Sequence, residues 1–133
     1  MSKNRWAKRK GTQAERELID FFWEKEGWCA HRIAGSGSSK YPSPDLIVGN
    51  NLRKLALEVK TTFEKKKYFT GEEIYALKEF SNIFGAEAWI AIKILNKDWY
   101  FVNLEDLNQS GKSFNICLDD LKNKGLLFEE LIK

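Results

Sequence analysis

The sequence predicts an α/β domain, bordering on α+β, with a central mixed five-stranded sheet flanked by helices. Three observations predict it. The run Leu55–Thr61 alternates with period two, Leu55, Leu57 and Val59 pointing one way and Ala56, Glu58 and Lys60 the other. Two stretches, Thr12 to about Glu26 and Thr70 to Phe84, carry apolar residues at helical spacing. The order helix, three strands, helix, two strands fits a layered sheet, and 133 residues fit one domain.

In chain order, residues 1–10, MSKNRWAKRK, read as a mobile basic tail. Ala14, Leu18, Phe21 and Phe22 define the apolar face of the first helix, and Gly27 stops it. Thr12 and Glu15 have capping-box spacing, so Glu15 would reach back to the Thr12 amide. Trp28–Ala34 is a strand, in which His31 reads as an ordinary strand residue. Gly35–Pro44 is a Gly/Ser-rich loop with two prolines. Strands Leu46–Val48 and Leu55–Thr61 follow, joined by the turn residues Gly49-Asn50-Asn51. Phe63–Lys67, FEKKK, reads as a solvated charged edge or as an extension of a phosphate track. Thr70 to Glu73 has capping-box spacing and opens the second helix, with Ile74, Leu77, Ser81 and Phe84 on one face and Gly85 ending it. Ala86–Leu95 and Trp99–Leu104 are the last strong strands. Beyond Glu105 the signal weakens to a short helix near Glu105–Gln109, a strand near Phe114–Leu118 and a helical stretch around Phe128–Ile132. Tyr68, Phe69, Phe80, Phe84 and Trp89 exceed what one small core needs; they are either all core or partly a homodimer face.

Composition narrows the functional classes. The chain is 43% hydrophobic, which argues against disorder. No apolar run reaches the ~18 residues of a membrane helix, and no secretory apolar region opens the chain. Cys29 and Cys117 lack CxxC spacing and His31 stands alone, which disfavours structural zinc and a disulfide framework. A reducing cytoplasm (the host's, if the gene is viral) is the expected setting. The net charge of +3 is unevenly divided: residues 1–16 and 31–68 carry +5 each, residues 17–30 carry −3 and residues 69–133 carry −4. Such asymmetry suits a polyanion on one face, though solvated lysines would look the same. Nothing points to a small-molecule substrate.

The chemistry concentrates in Ser43–Thr62, SPDLIVGNNLRKLALEVKTT. A hairpin here would set Asp45 beside Glu58. Two converging carboxylates repel unless a cation lies between them. Hard oxygen ligands suit Mg²⁺, and an adjacent lysine suits a phosphate or the positioning of an attacking water.

Pro44-Asp45 followed by Glu58-Val59-Lys60 resembles the PD-(D/E)xK nuclease signature. With Arg9-Lys10-Gly11-Thr12-Gln13-Ala14-Glu15-Arg16 and Arg32-Ile33-Ala34-Gly35-Ser36-Gly37-Ser38-Ser39, the pattern over roughly residues 8–104 resembles the archaeal-type Holliday junction resolvases. The resemblance implies a restriction-endonuclease-like fold, a symmetric homodimer and four-way junction DNA as substrate. It moves Glu15 from helix cap to active site. Asp45 and Glu58, with the Val59 carbonyl, would then hold Mg²⁺ (Mn²⁺ substituting), Glu15 completing the metal or water shell. Lys60 would orient the water or neutralise the phosphate, and Arg32 and Ser36 would position the phosphate. Arg9, Lys10, Arg16, Ser38, Lys40, Lys65 and Lys66 would contact DNA. The alternatives are another PD-(D/E)xK endonuclease, of restriction or nicking type, and a non-catalytic DNA-binding module. The last does not explain two carboxylates in a basic, DNA-facing half.

Overall fold

The computed structural model describes residues 3–35, 40–95 and 97–133, with side chains from Thr12 onward. The first helix, α1, spans Lys3–Trp23. It therefore starts nine residues before Thr12, and residues 3–10 are helical backbone rather than a tail. Thr12 lies inside the helix, so the capping box expected there does not form. Lys, Arg and Ala are strong helix formers, and they carry the helix through Gly11 at a cost of about 1 kcal/mol.

Strands β1 (Cys29–Arg32), β2 (Leu46–Gly49) and β3 (Lys54–Thr62) form an antiparallel meander. Asn50 makes the β2–β3 turn: its Oδ1 accepts the Leu52 and Arg53 N–H groups at 2.8 and 2.7 Å. Gly49 is needed there, because a Cβ would come within 2.6 Å of the Arg53 carbonyl oxygen. The register pairs Leu46 with Leu57 and Val48 with Leu55.

A crossover leads from β3 to β5 (Glu87–Ile94), parallel to it, and β6 (Trp99–Asn103) returns antiparallel. Parallel strands need a long connection, supplied here by strand β4 (Lys66–Phe69) and helix α2 (Gly71–Phe84). The expected capping box at Thr70 forms: its hydroxyl accepts the Glu73 N–H at 3.1 Å and Glu73 accepts the Thr70 N–H at 2.9 Å. Gly85 ends α2 in the left-handed conformation, φ 78°. The central sheet, ordered β1-β2-β3-β5-β6, is the mixed five-stranded sheet the sequence predicts.

A second sheet was not foreseen. β4 pairs with β8 (Ser113–Cys117), and β8 with β7 (Asn108–Ser110), all antiparallel. The charged FEKKK run thus enters a strand rather than only skirting an edge. The helix expected near Glu105–Gln109 is one 3₁₀ turn, Leu104–Asp106, followed by β7. Helix α3 (Leu118–Lys124) is likewise new, whereas α4 (Phe128–Leu131) lies where a helical stretch was expected.

The central sheet is covered on both faces. On one side Ala14, Leu18 and Phe22 of α1 pack on Leu46, Leu55 and Leu57. On the other, Ile74 and Leu77 of α2 join Phe69, Phe114 and Ile116 over Ala56, Ile90 and Ile92. Arg53 ties the hairpin to the C-terminal end, donating two bonds to the Glu87 carboxylate at 2.8 and 2.9 Å and one to the Leu131 carbonyl at 2.6 Å. Among the aromatics weighed for a dimer face, Phe69 and Trp89 are core, whereas Tyr68 and Phe84 are exposed. Phe84 is thus not on the buried face of α2 with Ile74, Leu77 and Ser81. No helix among the described residues is long and apolar enough to cross a membrane.

Candidate active site

β2 is shorter than β3, and that mismatch makes the site. Pairing ends at Leu46–Leu57, while β3 continues to Thr62 along β5 alone. From Glu58 onward, among the described residues, one edge of β3 has no strand beside it. Asp45, one residue before β2, fills the notch. Its N–H donates to the Leu57 carbonyl at 2.9 Å, its carbonyl accepts the Ile33 N–H at 2.9 Å, and its Oδ2 accepts the Val59 N–H at 2.9 Å. The N–H and C=O of one strand residue point to the same edge, so the Val59 carbonyl faces the Asp45 side.

Glu58 and Lys60 lie on the α2 face of β3, as the alternation predicts. The Glu58 carboxyl is hydrogen-bonded to Asp45. Burial first, then the Asp45 charge and that hydrogen bond, push its pKa up to about 8, against the pull of Lys60. Two carboxylates this close share a proton or share a cation. The Lys60 ammonium lies 3.8 Å from Glu58 and 2.5 Å from Glu73, the capping-box glutamate of α2. Burial would lower the Lys60 pKa, but Glu73, Glu58 and Asp45 outweigh it and raise it, so the ammonium stays charged. The Glu73 pKa is lowered: burial opposes this, and the hydrogen bonds from Lys60 and Thr70 prevail.

Glu15 approaches from α1. Burial and the Asp45 charge raise its pKa, and Arg32 opposes them by donating its Nε–H to Glu15 Oε2 at 2.8 Å. Arg32 ends β1 opposite Leu46, so it stands next to Asp45 in the meander. Among the described residues no three carboxylates gather as a metal-holding group. Asp45 and Glu58 lie side by side, and Glu15 stands within electrostatic reach of Asp45.

This site can be set beside known proteins. A family model of archaeal Holliday junction resolvases matches residues 6–133. The chain belongs to that family. The crossover junction endodeoxyribonuclease Hjc of Archaeoglobus fulgidus is 42% identical over 109 residues, 82% of this chain and 79% of the relative. The same enzyme of Methanocaldococcus jannaschii is 40% identical over 108 residues, 81% and 76% of the two chains. The crystal structure of A. fulgidus Hjc, a Holliday junction resolvase from an archaeal hyperthermophile, superposes with a TM-score of 0.84 at 37% identity, covering 90% of this chain and 96% of that one. The fold is accordingly restriction-endonuclease-like. Nucleases of this family typically use a divalent metal.

The carboxylate pair fits such an ion. It offers hard oxygens, and the raised Glu58 pKa marks a position where a cation would relieve the repulsion. Of the residues expected to touch DNA, Arg16, Lys40, Lys65 and Lys66 are exposed and Arg32 is tied to Glu15. Ser36 and Ser38, and the side chains of Arg9 and Lys10, lie outside the described residues. Two residues have a place at the site that the sequence does not show, although Lys67 belongs to the run read as a possible phosphate track. Glu73 holds Lys60, and its capping-box position was visible but not its partner. Lys67 is half-buried, its pKa lowered by burial and then by Lys60, with Glu73 also in reach. The alternation Lys66 out, Lys67 in, Tyr68 out, Phe69 in was the available signal.

Proposed function

We propose that this chain is a metal-dependent endonuclease, acting as one nuclease domain in a homodimer, that resolves four-way DNA junctions by paired phosphodiester hydrolysis. The observation that carries the reading is the hydrogen-bonded Asp45–Glu58 pair with the Lys60 ammonium beside it. Asp45, Glu58 and the Val59 carbonyl would hold Mg²⁺, or Mn²⁺ in its place. Such an ion would supply Lewis acidity and lower the pKa of a bound water. Lys60 would orient the attacking water or neutralise the attacked phosphate. Glu15 would complete the metal or water shell from α1, and Arg32, which it holds at 2.8 Å, would position the phosphate with Ser36. Arg9, Lys10, Arg16, Ser38, Lys40, Lys65 and Lys66 track the backbone, which fits recognition of shape rather than base sequence. A two-fold dimer presents two such sites to the two symmetry-related phosphates of a junction. The stacked pair Phe80–Phe84, centroids 5.2 Å apart, with exposed Ile83 beside it, supports a dimer face on α2.

The test is cleavage of a labelled, immobile four-way junction in Mg²⁺, with Ca²⁺ and the component linear duplexes as controls. Paired nicks in the junction, in Mg²⁺ only, are expected. Equal cleavage of the duplexes would assign a different nuclease substrate, and no cleavage with retained binding would leave a DNA-binding module.

A further inference from the structure

We propose that Glu73 is a positioning residue for Lys60, holding the ammonium off the metal-binding carboxylates; this rests on the nuclease reading above. Glu73 uses its two oxygens for two tasks. Oε2 accepts the Thr70 N–H at 2.9 Å, which fixes the carboxylate to the first turn of α2. Oε1 accepts Lys60 Nζ at 2.5 Å. The Lys60 side chain is long and flexible, and its other carboxylate neighbours are Glu58, at 3.8 Å, and Asp45. Without Glu73 the ammonium would close onto Glu58 and compete with a cation for the same oxygens. With Glu73 in place, one of its three donors is committed, and the head stands beside the pair without sealing it. The helix cap is thereby coupled to the site: the residue that starts α2 also sets where the lysine of β3 points.

The charge-removing variant Glu73→Gln keeps an acceptor for the Thr70 N–H and loses the ion pair. Thr70→Ala weakens the cap and keeps the ion pair. Three quantities separate the roles: thermal midpoint, junction affinity in Ca²⁺, and single-turnover cleavage across Mg²⁺ concentrations. E73Q is expected to cut between about 10- and 100-fold more slowly, the range for a misplaced catalytic group. It should need more Mg²⁺ for half its maximal rate and bind the junction no more weakly. T70A is expected to lower the thermal midpoint and, below it, to cut at the wild-type rate. E73Q cutting as fast as wild type or faster, or T70A slowing cleavage as much as E73Q, would overturn the proposal. Should E73Q fail to fold, proton exchange at the Lys60 ammonium of the wild-type chain decides, by nitrogen-labelled NMR: slower exchange than at exposed Lys65 and Lys66 is expected, and equal exchange contradicts it. A wild-type chain that cuts no junction, yet shows the slow ammonium, would refute the nuclease reading and leave the ion pair standing.

Discussion

The first half of β3, Lys54–Leu57, and its second half, Glu58–Thr62, share one strand geometry and differ in chemistry. Leu55, Ala56 and Leu57 are fully buried, with β2 and β5 on their edges and a helix over each face. Past Leu57 the β2 edge is gone, and the side chains become partly exposed carboxylate and ammonium. The difference teaches that the site comes from a missing neighbour. A strand that outruns its partner leaves backbone N–H groups and a notch, and Asp45 satisfies one of those groups while pointing its charge at Glu58. The buried half supplies rigidity; the open half carries the carboxylate and the ammonium.

The largest expected effect breaks the open half. Asp45→Asn keeps an acceptor for the Val59 N–H and removes the charge, so cleavage should fall roughly 10³-fold, the scale for losing one preorganised electrostatic group. Junction affinity in Ca²⁺ and thermal midpoint should change little. Equal loss of binding and cutting, or retained cutting, would count against the assignment.

Breaking the buried half should do the reverse. Leu57→Ala removes a fully buried side chain and should cost about 2–5 kcal/mol of stability in urea titration. The cleavage rate at temperatures where the variant stays folded should hold. If L57A lost rate but not stability, the two halves would not be separable in this way.

A subtler effect is the pH dependence of the metal-free chain. The folded-state pKa of Glu58 is raised to about 8 from an ordinary 4.5, so the folded state binds the extra proton between those values. Stability contributed by that proton is complete below about pH 4.5 and is lost as pH rises toward 8. The Glu58→Gln variant should flatten this part of the stability curve, and an unchanged slope would place Glu58 in a wetter setting than the notch. Smallest is the salt effect. Replacing Lys65 and Lys66 together should reduce the salt slope of junction binding by about two, one per phosphate contact. An unchanged slope would remove β4 from the DNA path.

The same contrast explains what could be read from the sequence. The hairpin was legible because alternation, turn residues and pairing arithmetic are local, and they place Asp45 opposite Glu58 without any tertiary information. Glu73 was legible as a cap but not as the partner of Lys60, because that contact depends on how α2 lies over β3. The first helix starts before Thr12, because a favourable run of Lys, Arg and Ala outweighs Gly11 and the capping-box spacing that point to a start there. The second sheet was missed because β7 has three exposed polar residues and β4 opens on lysines. Their strand character comes from pairing with β8, not from their own pattern.

The central claim is that Asp45 and Glu58 together hold one cation, and proton release tests it directly. At pH 7, below the Glu58 pKa of about 8, the pair still holds a proton that a cation must displace. Calorimetric titration of Mg²⁺ at pH 7, in buffers of different ionisation enthalpy, should reveal roughly one proton released per ion bound, falling toward none at pH 9, and E58Q should release none. Heats that do not depend on the buffer, or E58Q binding Mg²⁺ as the wild type does, would contradict the account.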